Sequence, residues 1–334
     1  MHGLARAAIG AAALAALAFP ALSGAQGQAF DLDPGTKVLA PLQFKQLSVF
    51  PVVQAKATVD TSQYLTLADG LKQKKVKVTE AKQGAQVNRV TVANQSDRPL
   101  ILLGGEVILG GQQDRVIGKD TIVAPHQEAN LEVFCVEHGR WTGRRDFDGV
   151  GGLAENKIRV RAKYRSDQGQ VWDEVAKKNA ALQAKPQSGT YRNLVSGPEG
   201  EKAVKPYREA ITAGLAKLPE SKKLVGVIAA INGRVVSVDI FSTPELFASY
   251  RERLLDSIYV SAADVPVTKT AAPQAGEVKA FLMRAESAPA QPAVEDPMSR
   301  RVDKKGKDTL NTTLEIKRPG AAPKQVYKSY QADE

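Results

Sequence analysis

Short runs of Val, Ile, Leu and Thr dominate the chain from Thr36 to Glu137 and alternate with turn-forming residues. Apolar runs of this length, bounded by Gly, Asn, Asp and Ser, are typical of β-strands. They predict strands over residues 47–53, 64–67, 76–80, 87–93, 100–103, 121–123 and 131–137. Because several of these runs place small or apolar residues on one face, we expect the strands to pair antiparallel.

The spacing of apolar residues changes after the glycine-rich segment 149–152, where helical spacing replaces alternation. Two amphipathic helices are predicted, separated by a Gly/Pro/Ser loop near residues 186–200. The stripe of the first contains Val171, Trp172, Val175 and Leu182, and the stripe of the second contains Val204, Tyr207, Ile211 and Leu215.

Residues 224–231 and 234–241 read as two strands of a hairpin. Asn232 and Gly233 lie between them, and Asn-Gly suits the two-residue type I′ turn. The hairpin leads into a third predicted helix, which Ser242 or Thr243 can cap and in which Pro244 suits the first turn. The apolar stripe of this helix is Phe247, Tyr250, Leu254 and Ile258.

The remainder of the chain, residues 263–334, is rich in Pro, Ala and Lys. Strands are predicted there over 277–284, 309–316 and 325–330, and they are candidates to complete the main domain over 36–262. The pattern as a whole predicts an α+β fold with a mainly antiparallel, sandwich-like sheet and about three amphipathic helices.

The first 25 residues have the features of a cleavable signal peptide. Arg6 precedes an Ala/Leu-rich apolar run, and the small residues Ser23, Gly24 and Ala25 follow it. This arrangement predicts export with cleavage after Ala25, and hence a periplasmic or secreted protein. Since no second long apolar run follows, we expect no transmembrane segment after the signal peptide is removed.

Composition and charge limit the classes of function. The formal net charge is +10, but the cations are scattered, and one local cluster is apparent at Arg300, Arg301, Lys304, Lys305 and Lys307. Nucleic-acid binders usually concentrate basic residues with interleaved aromatic residues, so no nucleic-acid partner is expected. Cys135 is the single cysteine, which excludes an intramolecular disulfide.

Two segments carry candidate chemistry: residues 104–115 and residues 135–141. In extended chains Gln113 and Arg115 share a face, as do Cys135 and Glu137. If the two strands are neighbours, an amide, a guanidinium, a thiol and a carboxylate converge. Glu106 would then lie at one edge of this site, and Arg140 and Trp141 at another.

Several interpretations of these residues stay open. Arg115 with Glu137, or Arg140 with Glu106, could be structural ion pairs. Cys135 could be a nucleophile activated by His138, or a small buried hydrophobic residue. Glu106 and Glu137 could be the acid and base of a hydrolase. The histidines and the cysteine lack metal-ligand spacing, and no phosphate-binding glycine pattern occurs, so neither a metal nor another cofactor is predicted.

The chain resembles a bacterial family of unknown function, the ARG and rhodanese-phosphatase-superfamily-associated protein domain, the first of that name. The resemblance spans about residues 40–260. It rests on Gly105-Glu106, Gln113-x-Arg115, the segment 135–141, a Gln-x-x-x-Trp pattern ending at Trp172, and the segment from Asn232-Gly233 to Asp239-x-Phe241. It implies a link to ADP-ribose or nucleotide metabolism but no specific activity.

Three functions remain in competition. The favoured one is binding of a small polar or anionic ligand, for which the site residues would be Glu106, Gln113, Arg115, Glu137, Arg140, Trp141 and Trp172. The second is a periplasmic hydrolase that uses Glu106 or Glu137, with Cys135 as a further catalytic candidate. The third is an envelope interaction protein whose polar cluster is structural. The sequence names no protein partner.

Overall fold

The computed structural model describes residues 28–57, 59–81, 88–137, 139, 142–184 and 190–333. The signal peptide predicted over 1–25 lies outside the described residues, and so do His138, Arg140 and Trp141. The predicted α+β class is confirmed, since the described chain contains large antiparallel sheets and several helices.

The strands follow one another in three stretches of the chain. The first stretch contains β1 (Phe30–Asp33), β2 (Thr36–Val38), β3 (Leu42–Phe44), β4 (Leu47–Gln54), β5 (Leu65–Thr66), β6 (Val76–Glu80), β7 (Arg89–Asn94) and β8 (Leu100–Leu102). The second contains β9 (Glu106–Gly110), β10 (Arg115–Ile117), β11 (Thr121–Val123), β12 (Glu128–Cys135) and β13 (Asp146–Leu153). The third contains β14 (Leu224–Ile231), β15 (Arg234–Phe241), β16 (Val294–Glu295), β17 (Ser299–Lys305), β18 (Thr309–Arg318) and β19 (Ala321–Ala332).

The helices are concentrated between the second and third stretches of strands. They are α1 (Leu67–Lys72), α2 (Asn156–Val160), α3 (Gln168–Ala181), α4 (Arg192–Ser196), α5 (Pro198–Tyr207), α6 (Ala213–Ala216), α7 (Pro244–Ala263) and α8 (Ala275–Ser287). Two π-helical segments, Arg161–Arg165 and Arg208–Thr212, continue α2 and α5, and a 3-10 turn spans Ser221–Lys223. None of the helices in the described part of the chain combines the length and hydrophobicity that crossing a bilayer requires.

Strands between residues 76 and 153 form a closed barrel. Its strand order is β10-β12-β7-β6-β13-β9, and β11, β8 and β5 form a small separate sheet. Alternate residues of the barrel strands, among them Val78, Val92 and Ile108, are buried in a common apolar core. The barrel places Arg115 of β10 directly opposite Cys135 of β12.

A ten-stranded sheet forms the second part, and the predicted hairpin lies at its centre. Its order is β1-β2-β4-β14-β15-β19-β18-β17-β16, with β3 paired to β4. The turn residues Asn232 and Gly233 have φ of 50° and 75°, as a type I′ turn requires. β19 pairs with β15 in register with Tyr327 opposite Phe241, so the tail of the chain extends the sheet.

Helices cover both faces of this sheet. One face packs Val238 and Ile240 against Val278 and Phe281 of α8. The other belongs to the largest apolar core, which includes Phe241 and residues of α7. As predicted, Pro244 occupies the first turn of α7, and its N-cap is Thr243, whose hydroxyl accepts a hydrogen bond of 3.1 Å from the backbone N of Leu246.

The strand predicted over residues 277–284 is wrong, because this segment lies in α8. Its buried residues Val278, Phe281, Leu282 and Ala285 recur at helical spacing, which a reading of the segment as a strand overlooks. A capping box fixes the start of the helix: the carboxylate of Glu277 accepts from the backbone N of Gln274 at 2.7 Å. The glycine-rich segment 149–152 lies inside β13, and helices follow it as the change of spacing predicts.

Candidate functional site

Arg115 is the centre of the polar residues that the sequence places together. Its guanidinium donates to Oε1 of Gln113 at 3.2 Å and to Sγ of Cys135 at 3.0 Å. The amide, the guanidinium and the thiol therefore converge as strand alternation predicts. Arg115 is completely buried, and its ion-pair partner at 3.3 Å is Glu80. We refer to Glu80, Gln113, Arg115 and Cys135 as the barrel cluster.

The sequence missed Glu80 as a member of this cluster. Glu80 ends β6, which pairs with β7 and β13, and it reaches Arg115 of β10 only because these strands close into one barrel. The same carboxylate accepts from the backbone N of Gln112 at 3.0 Å. The ion-pair partner of Arg115 is thus Glu80 and not Glu137, whose Oε2 accepts from the backbone N of Asp114 at 3.2 Å.

Cys135 is a buried thiol. Burial raises its pKa, and the guanidinium of Arg115 opposes this effect only in part. A thiol with a raised pKa is largely protonated at neutral pH and is therefore a poor nucleophile. These surroundings favour the structural interpretation of Cys135.

Arg192 is a residue that sequence reasoning missed. It begins α4, and its Nη2 lies 2.9 Å from Oδ2 and 3.1 Å from Oδ1 of Asp114. Asp114 is buried and also accepts from the backbone N of Gly110 at 2.9 Å. The side chain of Arg192 is 47% exposed. A fixed carboxylate thus holds an arginine at the surface. The chain that follows β12 is adjacent, since the backbone N of Tyr191 donates to the backbone O of Val136 at 2.9 Å and Glu137 accepts from the backbone N of Asp114.

Glu106 lies apart from the barrel cluster, in a second group of buried charges. We refer to this group as the central cluster, and it consists of Glu106, Asp120, Arg159, Lys163, Asp239, Arg253 and Tyr327. Oε2 of Glu106 accepts from the backbone N of Leu103 at 2.8 Å, while Oε1 lies 3.9 Å from Nη2 of Arg253. Among the described residues the cation that pairs with Glu106 is therefore Arg253, and Glu106 and Glu137 have different neighbours.

Two ion pairs form the interior of the central cluster. Arg159 of α2 binds both carboxylate oxygens of Asp239, at 2.7 and 3.3 Å, and donates to the hydroxyl of Tyr327 at 3.0 Å. Nζ of Lys163 lies 2.7 Å from Oδ2 of Asp120. All five residues are essentially inaccessible to solvent. The cluster joins the helix that follows the barrel to the large sheet.

Gly104 and Gly105 make room for these cations. Gly105 has φ of 102°, and a Cβ atom there would lie 2.8 Å from Cγ of Arg159. A Cβ atom at Gly104 would lie 3.2 Å from both Oδ1 of Asp120 and Cδ of Lys163. This glycine pair, in the turn between β8 and β9, therefore permits close approach of buried side chains of the same chain.

Comparison with known protein families supports the resemblance found in the sequence. The model of the ARG and Rhodanese-Phosphatase-superfamily-associated Protein domain matches residues 35–318. The chain belongs to this family. The match extends well beyond residue 260, where the sequence resemblance ended. No curated protein and no solved structure matches the chain.

Family elements that the sequence singled out have structural roles here. Gln168 of the Gln-x-x-x-Trp pattern brackets the backbone of Cys135: its Oε1 accepts from the Cys135 N at 2.7 Å, and its Nε2 donates to the Cys135 O at 2.9 Å. Asp239 is the partner of Arg159, and the ring of Phe241 stacks at 5.4 Å on that of Tyr250. Trp172 is half-buried on α3, one turn after Gln168.

Burial raises the pKa of Glu106 to about 7 from its ordinary value of 4.5, although Arg253 opposes the shift. Between pH 4.5 and about 7 the folded protein keeps a proton on Glu106 that the unfolded chain releases. The free energy of unfolding therefore falls as pH rises across this range. Relative to Glu106→Gln, the wild type should lose about 2–3 kcal/mol of unfolding free energy between pH 5 and 8. Urea denaturation at a series of pH values measures this difference. Parallel stability curves for the two proteins would contradict the assignment.

Two surface cavities lie away from the residues above. One, of about 830 Å³, is lined by residues of α3, α4 and α5, and the other, of about 650 Å³, lies between α8 and the ends of β15 and β19. Neither is lined by Glu106, Gln113, Arg115, Glu137 or Trp172.

Proposed function

We propose that the chain is an exported soluble protein that binds a small anionic ligand at the surface beside Glu137, with Arg192 as the anchor. The observation that carries this proposal is the half-exposed guanidinium of Arg192, which is held by the buried carboxylate of Asp114. The signal peptide predicted over residues 1–25 supports a location outside the cytoplasm.

An arginine in this position is well prepared to recognise an anion. A guanidinium has five N–H donors in a planar fork that matches carboxylate and phosphate groups. Of the described residues, only Asp114 accepts from this guanidinium, through Nη2. Because Asp114 fixes the side chain, little conformational entropy is lost when a ligand binds the remaining donors.

Gln113 and Arg115 support this site from beneath instead of contacting the ligand. Both are buried, and they connect β10 to β12 and β6 through hydrogen bonds. Asp114, the residue between them, points to the other side of the strand and holds Arg192. The ligand therefore contacts Arg192 and not Gln113 or Arg115.

A thermal-shift screen of the chain without residues 1–25 tests this proposal. The probes are phosphate, citrate, sugar phosphates, AMP and ADP-ribose. We expect one class of anion to raise Tm, and we expect Arg192→Gln to remove the rise while changing the Tm of the free protein by less than about 3 °C, as is usual for surface substitutions. Arg115→Gln should lower the Tm of the free protein, since it breaks a buried pair.

Arg144→Gln is the matched control, because Arg144 is also a surface arginine held by one carboxylate, Asp148, at 2.7 Å. It should leave the ligand-induced rise unchanged. The proposal fails if none of the anions stabilises the wild type, or if Arg192→Gln retains the full rise. A failure of the first kind would favour the envelope interaction protein.

One observation favours a second candidate, the periplasmic hydrolase. Glu106 is a buried carboxyl group whose pKa of about 7 suits a general base at neutral pH. A panel of glycosides, esters and phosphodiesters tests this function. Hydrolysis of one of them by the wild type, at a rate that Glu106→Gln lowers at least a hundredfold, would support a hydrolase over binding alone.

A further inference from the structure

Four lysines lie close together where α1 ends and β6 begins. They are Lys72, Lys74, Lys75 and Lys77, and all four are exposed. Since these are four lysines without an acidic residue among them, residues 72–77 carry a formal charge of +4. We refer to the four residues as the lysine corner. Neither the barrel cluster nor the central cluster includes any of them.

The turn that carries the lysine corner is tightly held. The backbone N of Lys75 donates to the backbone O of Gly70 at 2.9 Å. A Cβ atom at Gly70 would overlap the side chain of Val76, so glycine at this position lets the helix pack directly on the strand. Because Val76 is buried in the barrel core, its neighbours Lys75 and Lys77 project from the opposite face of the strand. The fold therefore fixes the backbone of the lysine corner at the outer surface of the barrel.

Most of the positive charge of the lysine corner is uncompensated. Lys77 pairs with Asp146 at 3.7 Å, and both side chains are more than half exposed. The other three lysines form no ion pair with any described residue. Asp69 is the acidic residue that precedes them on α1, and its Oδ2 accepts from the hydroxyl of Thr66 at 2.7 Å. A positive surface therefore remains at the corner.

The basic cluster at residues 300–307 differs from the lysine corner in this respect. Three of its five cations form ion pairs with carboxylates of described residues. The pairs are Arg300 with Glu295, Arg301 with Asp303 and Lys304 with Glu286, at 3.0–3.2 Å. The structure thus largely neutralises the cluster that is most apparent in the sequence, and it leaves the lysine corner charged.

We propose that the lysine corner docks the protein on an anionic phospholipid bilayer. A lysine is a compact point charge on a flexible stem, and it needs no fixed geometry in the anionic group that it meets. Mobile lipid headgroups satisfy this requirement, and each lysine beside such a surface strengthens binding about fivefold. Neither of the two surface cavities includes a residue of the corner, which therefore offers charge and not a recess for a small molecule.

The attachment is electrostatic. The exposed large apolar residues of the described chain, Val267, Met283 and Val294, belong to other segments, so the corner itself inserts no apolar anchor into the bilayer. Binding through charge alone is reversible and weakens as salt screens it. The lysine corner is separate from Arg192 and does not depend on the anion proposed to bind there.

Co-sedimentation of the chain without residues 1–25 with lipid vesicles tests this proposal. One set of vesicles is phosphatidylcholine, and the other contains phosphatidylcholine and phosphatidylglycerol in equal parts. We expect binding to the mixed vesicles at low salt, and binding weaker by about tenfold or more to phosphatidylcholine alone or at high salt. Replacing Lys72, Lys74 and Lys75 together with glutamine should weaken binding to the mixed vesicles by about tenfold or more. The Tm of this variant should change by less than about 3 °C, as is usual for surface substitutions.

The matched control replaces Lys217, Lys222 and Lys223 together with glutamine. These lysines are also exposed and form no ion pair with a described residue, so both variants lose three positive charges. Three lysines and Glu220 give residues 217–223 a formal charge of only +2. The control should therefore weaken vesicle binding by less than about threefold.

The proposal is overturned if the wild type does not bind the mixed vesicles, or if it binds phosphatidylcholine equally well. It is also overturned if the two triple variants weaken binding equally, because net charge would then be the cause. A wild type that binds soluble polyphosphate but neither kind of vesicle would place a polyanion at the corner instead. Arg192→Gln should retain full vesicle binding, which distinguishes this test from the test of the proposed anion site.

Discussion

We expect Asp239→Ala to lower the free energy of unfolding by about 3–5 kcal/mol, the usual effect of removing one partner of a buried ion pair. Asp239 binds Arg159 through both oxygens in a site without solvent, and it raises the pKa of Arg159 although burial acts in the opposite direction. The substitution leaves a buried guanidinium whose remaining described partner is the hydroxyl of Tyr327. Urea denaturation at 25 °C measures the loss.

Two further variants identify the cause of this loss. Asp148→Ala removes an exposed pair with Arg144 and should change stability by less than about 1 kcal/mol. Adding Arg159→Met to Asp239→Ala removes the uncompensated charge and should restore part of the stability. If the double variant is as unstable as the sum of the single losses, the charge of Arg159 is not the cause.

The second large effect is expected at Gly111, at the end of β9 beside the barrel cluster. Gly111 has φ of 55°, and a Cβ atom there would overlap the ring of Phe147 and lie 2.8 Å from Oε1 of Glu80. We expect Gly111→Ala to lower the free energy of unfolding by about 2–4 kcal/mol, because backbone strain and overpacking add. Thermal or urea denaturation measures this change.

Gly320→Ala separates the two contributions. Gly320 has a similar φ of 72°, but no atom lies within 4 Å of a Cβ atom placed there. Its loss should therefore be only the backbone strain, about 1–2 kcal/mol. Equal losses at Gly111 and Gly320 would show that contact with Phe147 and Glu80 contributes nothing.

Local sequence patterns were sufficient for many of the elements. Short apolar runs bounded by turn residues predicted β4, β6 and β7 to within about two residues at each end, and Asn232-Gly233 predicted the central hairpin. The strand prediction failed at residues 277–284, which lie in α8. This short segment is rich enough in apolar residues to resemble a strand, although its buried residues have helical spacing. Short apolar segments are ambiguous in this way because the same residues can satisfy either period.

Local sequence patterns likewise predicted some of the polar contacts and not others. Strand alternation brought Gln113, Arg115 and Cys135 together, since side chains two residues apart share a face and β10 and β12 are neighbours. Alternation could not supply Glu80, Arg192 or Asp239. Each is far along the chain from its partner. Asp239 belongs to the Asp239-x-Phe241 motif, which does not reveal its partner, and Glu80 and Arg192 carry no local signal that distinguishes them from ordinary surface charges.

The sequence by itself determined the α+β class, the family and the grouping of amide, guanidinium and thiol around Arg115, because these depend on local periodicity and on contiguous motifs. Only the tertiary structure decided which charges are paired and which are exposed. Barrel closure buries Arg115 against Glu80, and the packing of α2 on the large sheet buries Arg159 against Asp239. Asp114 is buried and pairs with Arg192, whose side chain stays half exposed. The sequence could not decide these pairings, because pairing and burial depend on contacts between segments distant in the chain.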